Sequence, residues 1–140
     1  MQAQLEEIIR QFNADTGSIH LLENGVLILK AHVGLSAEVV QIVSLVPIGK
    51  GMAGLAAQRN EPVSTCNIQT DRTGNVNSGA RATGVNGAIV VPIRDSSGLV
   101  CGTLGIGVHH DYEFTAAETA SLMETAMKLG QASNALSVKD

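Results

Sequence analysis

Asn24-Gly25 sits between two runs rich in aliphatic and β-branched residues, Ser18 to Glu23 and Val26 to Val33. That dipeptide between such runs is the strongest short-range signal for a hairpin, because both turn positions need positive φ. It commits this part of the chain to antiparallel pairing. A second pair of runs, Ala88 to Arg94 and Leu99 to His109, flanks the turn sequence Asp95-Ser96-Ser97-Gly98 and reads as another hairpin.

Helical signals surround the hairpins. Leu5, Ile8, Ile9 and Phe12 fall at i, i+3, i+4 and i+7, which predicts a helix over 2–14 closed by Gly17. Ser36 is placed to cap a short helix running to Ser44. Gly49 to Arg59 is Gly/Ala-rich and reads as helical in its second half, and Val63 to Ile68 reads as a short strand. Gln69 to Gly87 is polar, with glycines at 74, 79, 84 and 87, and reads as a long loop with one helical turn. Loops of that length in compact domains are usually functional or disordered. Thr115-Ala-Ala-Glu118 is a capping box that opens a long last helix. No repeat, linker or shift in composition divides the 140 residues, so one domain over 1–140 is expected.

Only 2% of the residues are aromatic against 44% hydrophobic in all, so the core must be aliphatic. The same scarcity leaves little for stacking on purines, flavins or open tetrapyrroles. A net charge of −4 without a basic run argues against nucleic acid. The first residues lack the pattern of a secretory signal, and the longest apolar stretches are too short to span a bilayer. Two cysteines, Cys66 and Cys101, build no disulfide framework, which points to a reducing, cytoplasmic setting.

The order of elements resembles the GAF family, and so do the local sequences. Val46-Pro-Ile-Gly-Lys-Gly-Met-Ala-Gly54 and the following Ala56-Ala-Gln-Arg-Asn-Glu-Pro-Val63 are similar to the family's Gly-rich turn and helix. Gly87 to Ile93 and Gly98 to Leu104 resemble its last two core strands, and Phe114-Thr-Ala-Ala-Glu118 its last helix start. The likeness covers roughly residues 4–130. It implies an α+β fold: a central antiparallel sheet, the N- and C-terminal helices on one face, and a long loop with short helices over the other. It implies no single ligand, since function lives in sites grafted on folds.

Several motifs point to chemistry and lose it on inspection. Gly49-x-Gly51-x-x-Gly54 matches a dinucleotide fingerprint, but that motif needs a parallel βαβ unit, and the hairpins argue for a structural turn. One GAF family reduces free methionine sulfoxide with cysteines and acidic residues. Similarity to it would set its thiols at Ala53 and near Arg81, and its acidic groups at Gly105 and Gly107, where this chain has neither nucleophile nor proton donor. Cys66 and Cys101 therefore read as structural. His109 and His110 are adjacent, so on a strand they point to opposite faces, and His20 and His32 lie in other strands; no metal site is expected. The Asn-Lys pair of cyclic-nucleotide domains and the Cys-His pair of bilin domains are missing. Gly102, Gly105 and Gly107 in one strand mark a close approach, read here as crowding by a neighbouring helix.

The remaining candidate site is the long loop. Asn67, Arg72, Asn75, Asn77, Ser78, Arg81 and Thr83 bring donors and two fixed positive charges together, suited to carboxylate, nitrate or phosphate. We therefore expect Asn67, Arg72, Asn75, Ser78, Arg81 and Thr83 to bind a small, anionic ligand in a non-catalytic sensor or regulatory domain. The alternatives are an enzyme related to free methionine-(R)-sulfoxide reductase and a purely structural dimerisation module. The sequence specifies no cofactor and no downstream partner.

The last helix adds an expectation. Ala116, Ala120, Met123 and Met127 form one apolar stripe; Leu122, Ala126, Leu129 and Leu136 form another beside it. Their combined arc of roughly 200° exceeds the stripe of about 100° that one core requires. A homodimer joined through the terminal helices would cover the surplus.

Overall fold

A computed structural model describes residues 1–71, 73 and 84–139, with 132–139 as helix backbone only. The described elements are α1 (Gln2–Phe12), β1 (Thr16–Glu23), β2 (Val26–Val33), α2 (Ala37–Val43), β3 (Leu45–Pro47), α3 (Gly51–Arg59), β4 (Val63–Thr65), β5 (Gly87–Arg94), β6 (Val100–Val108) and α4 (Ala116–Lys139). The six strands form one sheet in the order β3-β2-β1-β6-β5-β4. Every pair is antiparallel, as the α+β reading requires.

Local chemistry explains most boundaries. Asn24 and Gly25 both take positive φ, 53° and 79°, and close the β1–β2 hairpin with Glu23 opposite Val26. Asp95 Oδ1 accepts from the Ser97 and Leu99 amides at 2.8 and 3.1 Å and so folds the β5–β6 turn. Ser36 Oγ caps α2 through the Val39 amide. Thr115 and Glu118 exchange the two bonds of a capping box, at 3.1 and 2.9 Å.

Four expectations need correction. Asn13, left-handed at φ 55°, ends α1; Gly17 instead lies within β1, where an added Cβ would stand 2.5 Å from Ile9 Cδ1, so its bareness lets α1 settle on the strand. The helix after the Gly-rich turn begins at Gly51 rather than midway. The strand expected over 63–68 stops at Thr65, and β6 ends at Val108, leaving His109 and His110 exposed beyond it. The short strand β3 pairs with β2 and had no sequence signal.

α1 and α4 cover one face of the sheet, and α3 lies on the other. Leu5, Ile8, Ile19, Ala31, Ile89, Val91, Ile93, Leu104, Ile106, Leu122 and Ala126 form the core beneath α1 and α4. A smaller cluster under α3 contains Met52, Ala56, Val63, Ile68, Val85 and Ala88. Arg94 reaches across to Asn60, its Nε donating to Oδ1 at 2.6 Å and its guanidinium to the Asn60 carbonyl at 2.7 Å. This anchors the C-terminal end of α3.

Candidate functional site

The alternation of β1 sends Ile19 and Leu21 to the helix-packed core and Thr16, Ser18 and His20 to the opposite face. In register, those three face Gly107, Gly105 and Thr103 of β6. Two of the three partners carry no side chain, so the sheet is left low and open there. A cavity of about 270 Å³ occupies the space. Its floor is Thr16, Ser18, His20, Gly105 and Gly107. Its aliphatic wall includes Ile42, Val43, Leu45, Val46, Ala88 and Val90, and the first turn of α3, Lys50 to Ala53, closes one side. No aromatic ring other than the His20 imidazole and no carboxylate lines it among the described residues.

The polar groups of the floor differ in how they are satisfied. His20 is buried, and its Nε2–H donates to the Val43 carbonyl at 2.9 Å. Burial lowers its pKa, against the weaker opposing pull of that bond, so the ring stays neutral and ties the end of α2 to the sheet. Thr16 is 5% exposed. Neither its hydroxyl nor that of Ser18 has a hydrogen-bond partner among the described residues. Both stand over the glycines: a Cβ at position 107 would lie 2.8 Å from Thr16 Oγ1, and one at 105 would lie 3.3 Å from Ser18 Oγ. The expected helix crowding is thus replaced here by a strand neighbour and a cavity. Gly102 differs, because a Cβ there would meet the His20 carbonyl at 2.2 Å.

α3 enters the cavity through a turn built by Gly49 and Gly51, both at positive φ. No side chain caps its first N–H groups, which carry partial positive charge. Gly54 is required by contact, since a Cβ would lie 2.4 Å from the Pro47 carbonyl. The three glycines therefore serve a turn and a close approach, with no parallel βαβ unit among the described strands.

Of the loop residues expected to bind a ligand, Asn67 is described; Arg72, Asn75, Asn77, Ser78, Arg81 and Thr83 lie outside the described residues. Asn67 belongs to a clasp. Its Nδ2 donates to Asp111 Oδ1 at 2.8 Å, and Asn86 Nδ2 donates to the same oxygen at 3.1 Å. The Ile68 amide bonds the Asn86 carbonyl, and the Tyr112 amide bonds the Cys66 carbonyl. The clasp draws the two ends of the loop together, so that Ile68 and Val85, both buried, line the cavity.

Sequence reasoning missed Thr16, Ser18, His20 and Lys50 as cavity residues, and Asp111 as the acceptor shared by Asn67 and Asn86. Among the described residues, no three His, Cys, Asp or Glu side chains converge to hold a metal ion. Cys66 is exposed and Cys101 half-buried, both as free thiols. Burial and then the Asp95 carboxylate push the Cys101 thiol up, away from the nucleophilic thiolate.

A family model described as a GAF domain matches residues 1–133. No curated protein matches the sequence. Among solved structures, the chain is similar to a type II free methionine-R-sulfoxide reductase from Thermoplasma acidophilum, with TM-score 0.78 and 23% identity over 93% of this chain and 86% of that one. It is also similar to the GAF domain of an Acinetobacter phosphoenolpyruvate-protein phosphotransferase, with TM-score 0.75 and 22% identity over 92% and 76% of the two chains. The GAF domain of a phosphoenolpyruvate-protein phosphotransferase from Coxiella burnetii gives TM-score 0.74 and 20% identity over 98% and 95%. At these identities the likeness carries the fold.

Proposed function

This chain belongs to the GAF domain family, and from that premise we propose that it is a regulatory domain that binds a small molecule in the cavity under α3 and performs no reaction on it. The observation that carries the reading is the pair of hydroxyls, Thr16 and Ser18, without partners among the described residues, in a cavity of about 270 Å³ with mostly aliphatic walls. Convergent polar groups in an apolar pocket are the mark of a binding site. The absence of catalysis has its own support. Ala53, Gly105 and Gly107, which the resemblance to the sulfoxide reductases equates with a thiol and two acidic groups, all line this cavity and bring no thiol or carboxylate to it. The loop from Asn67 to Thr83, with Arg72, Asn75, Ser78 and Arg81, contributes further contacts in this proposal, because its clasped ends border the same cavity.

The domain acts in the cytoplasm and signals as a homodimer through its terminal helices. No helix among the described residues is long and apolar enough to cross a membrane. On α4, Leu122 and Ala126 are buried against the sheet and Leu129 packs on the same core. Of the other stripe, Met123 packs on the same core while Ala116, Ala120 and Met127 are exposed, and in this proposal those three meet a partner copy; Leu136 lies outside the residues with described side chains. Native mass spectrometry of freshly purified protein tests both statements. A dimer mass with a retained small molecule is expected. A bare dimer would favour a closed, structural module, and a monomer would reject the helix pairing.

A further inference from the structure

The cavity has two chemically different ends. The first turn of α3 presents N–H groups that no side chain caps, and Lys50, the exposed residue that precedes it, lines the cavity beside them; a helix N-terminus next to a lysine favours an anion. Independently, Thr16 Oγ1, in a residue 5% exposed, and Ser18 Oγ face the cavity without partners among the described residues, over the bare backbone of Gly107 and Gly105. Two hydroxyls beside a floor without side chains suit a flat oxygen-bearing group. The rest of the wall is aliphatic, and its volume lies just below the roughly 300 Å³ at which pockets for drug-sized ligands begin.

The missing groups narrow the class further. A ligand ammonium needs a carboxylate once it leaves water, and no carboxylate lines the cavity among the described residues. Aromatic rings and nucleotide bases would find no stacking partner. Resting on the reading of the cavity as a ligand site, we infer that it takes a short, branched aliphatic 2-oxo or 2-hydroxy acid. The carboxylate faces α3 and Lys50, the 2-oxygen meets Thr16 and Ser18, and the hydrocarbon tail lies on Ile42, Leu45 and Val90.

Titration calorimetry on the full chain tests this with four probes: 4-methyl-2-oxopentanoate, leucine, the neutral 4-methylpentan-2-one and inorganic phosphate. The oxo acid should bind, and the other three should bind at least about tenfold more weakly. Lys50→Gln should weaken oxo-acid binding about tenfold, the scale of a charge-assisted hydrogen bond, and Thr16→Val about five- to tenfold, the scale of a neutral one, with thermal melts confirming that both variants fold. Equal binding of the ketone and the oxo acid, tighter binding of leucine, or indifference to both substitutions overturns the ligand class while leaving the cavity a binding site. Phosphate matching the oxo acid would reduce the site to an anion hole and likewise overturn the class. No heat from any probe, the ketone included, in protein that also retains no molecule on purification counts against the binding reading itself.

Discussion

The two faces of the sheet are built to different rules. Beneath α1 and α4, nine branched aliphatic side chains and two alanines interlock, and close approach reaches the backbone: a Cβ on Gly130 would stand 1.9 Å from the Arg94 carbonyl. Beneath α3, small residues such as Ala53, Ala88 and Gly105 leave volume unfilled, and hydroxyls line it. One strand serves both faces, because β1 alternates Ile19 with Ser18 and His20. Packing of this density makes the first face the source of stability. The second gives up some of that packing to keep a space.

The largest expected effect breaks the comparison if it fails. Leu104, fully buried on the helix-packed face, should cost about 2–5 kcal/mol when changed to Ala. Val90→Ala, at the cavity wall, should cost about 1 kcal/mol, because it enlarges a space that already exists. Urea unfolding of both variants measures this, and equal losses would mean that the two faces are packed alike. Next comes the clasp. Asp111→Ala removes the acceptor shared by Asn67 and Asn86 and should cost about 1–2 kcal/mol, reduced from the value for a buried charged bond by its exposure. Proteolysis between residues 69 and 84 should then be faster; an unchanged rate would show that the clasp does not protect this part of the chain.

The last effect is confined to acid. His20 is neutral in the fold, with its pKa lowered by burial from the ordinary 6.5. Its contribution is complete above that value. As pH falls below it, the unfolded chain takes up a proton that the folded chain resists, and stability is lost until the pH passes the folded value. A His20→Gln variant should show a flatter stability profile between pH 7 and 5. A slope identical to that of the parent would place the acid sensitivity elsewhere.

Where one residue type decides a turn or a cap, the sequence was sufficient. Asn24-Gly25 and Thr115 to Glu118 needed no tertiary context, because positive φ and reciprocal capping are local. The cavity was not legible for a physical reason: polar residues at 16, 18 and 20 read the same whether that strand face meets bulk water or lines a cavity. Only the pairing of β1 with β6, and the bareness of Gly105 and Gly107 opposite, separates the two. β3 was invisible because three residues carry no alternation. The apolar excess on α4 was legible, but which stripe meets the sheet was not: Leu129 packs on the core, so a charge placed there would test folding before association.

The β1–β6 seam also governs when the cavity can exist. Its hydroxyls come from the start of the chain and its glycines from near the end. Just past the pairing, the His109 amide bonds Asp15 Oδ2 at 2.8 Å across 94 positions. Each hairpin can form alone within microseconds, but joining them requires closing the roughly fifty residues between Val33 and Gly87, an entropic cost met before the contacts repay it. The floor of the cavity is therefore expected to be completed late in folding, and a ligand seated on it bridges two strands far apart in the chain, so that occupancy would slow the unfolding of the molecule.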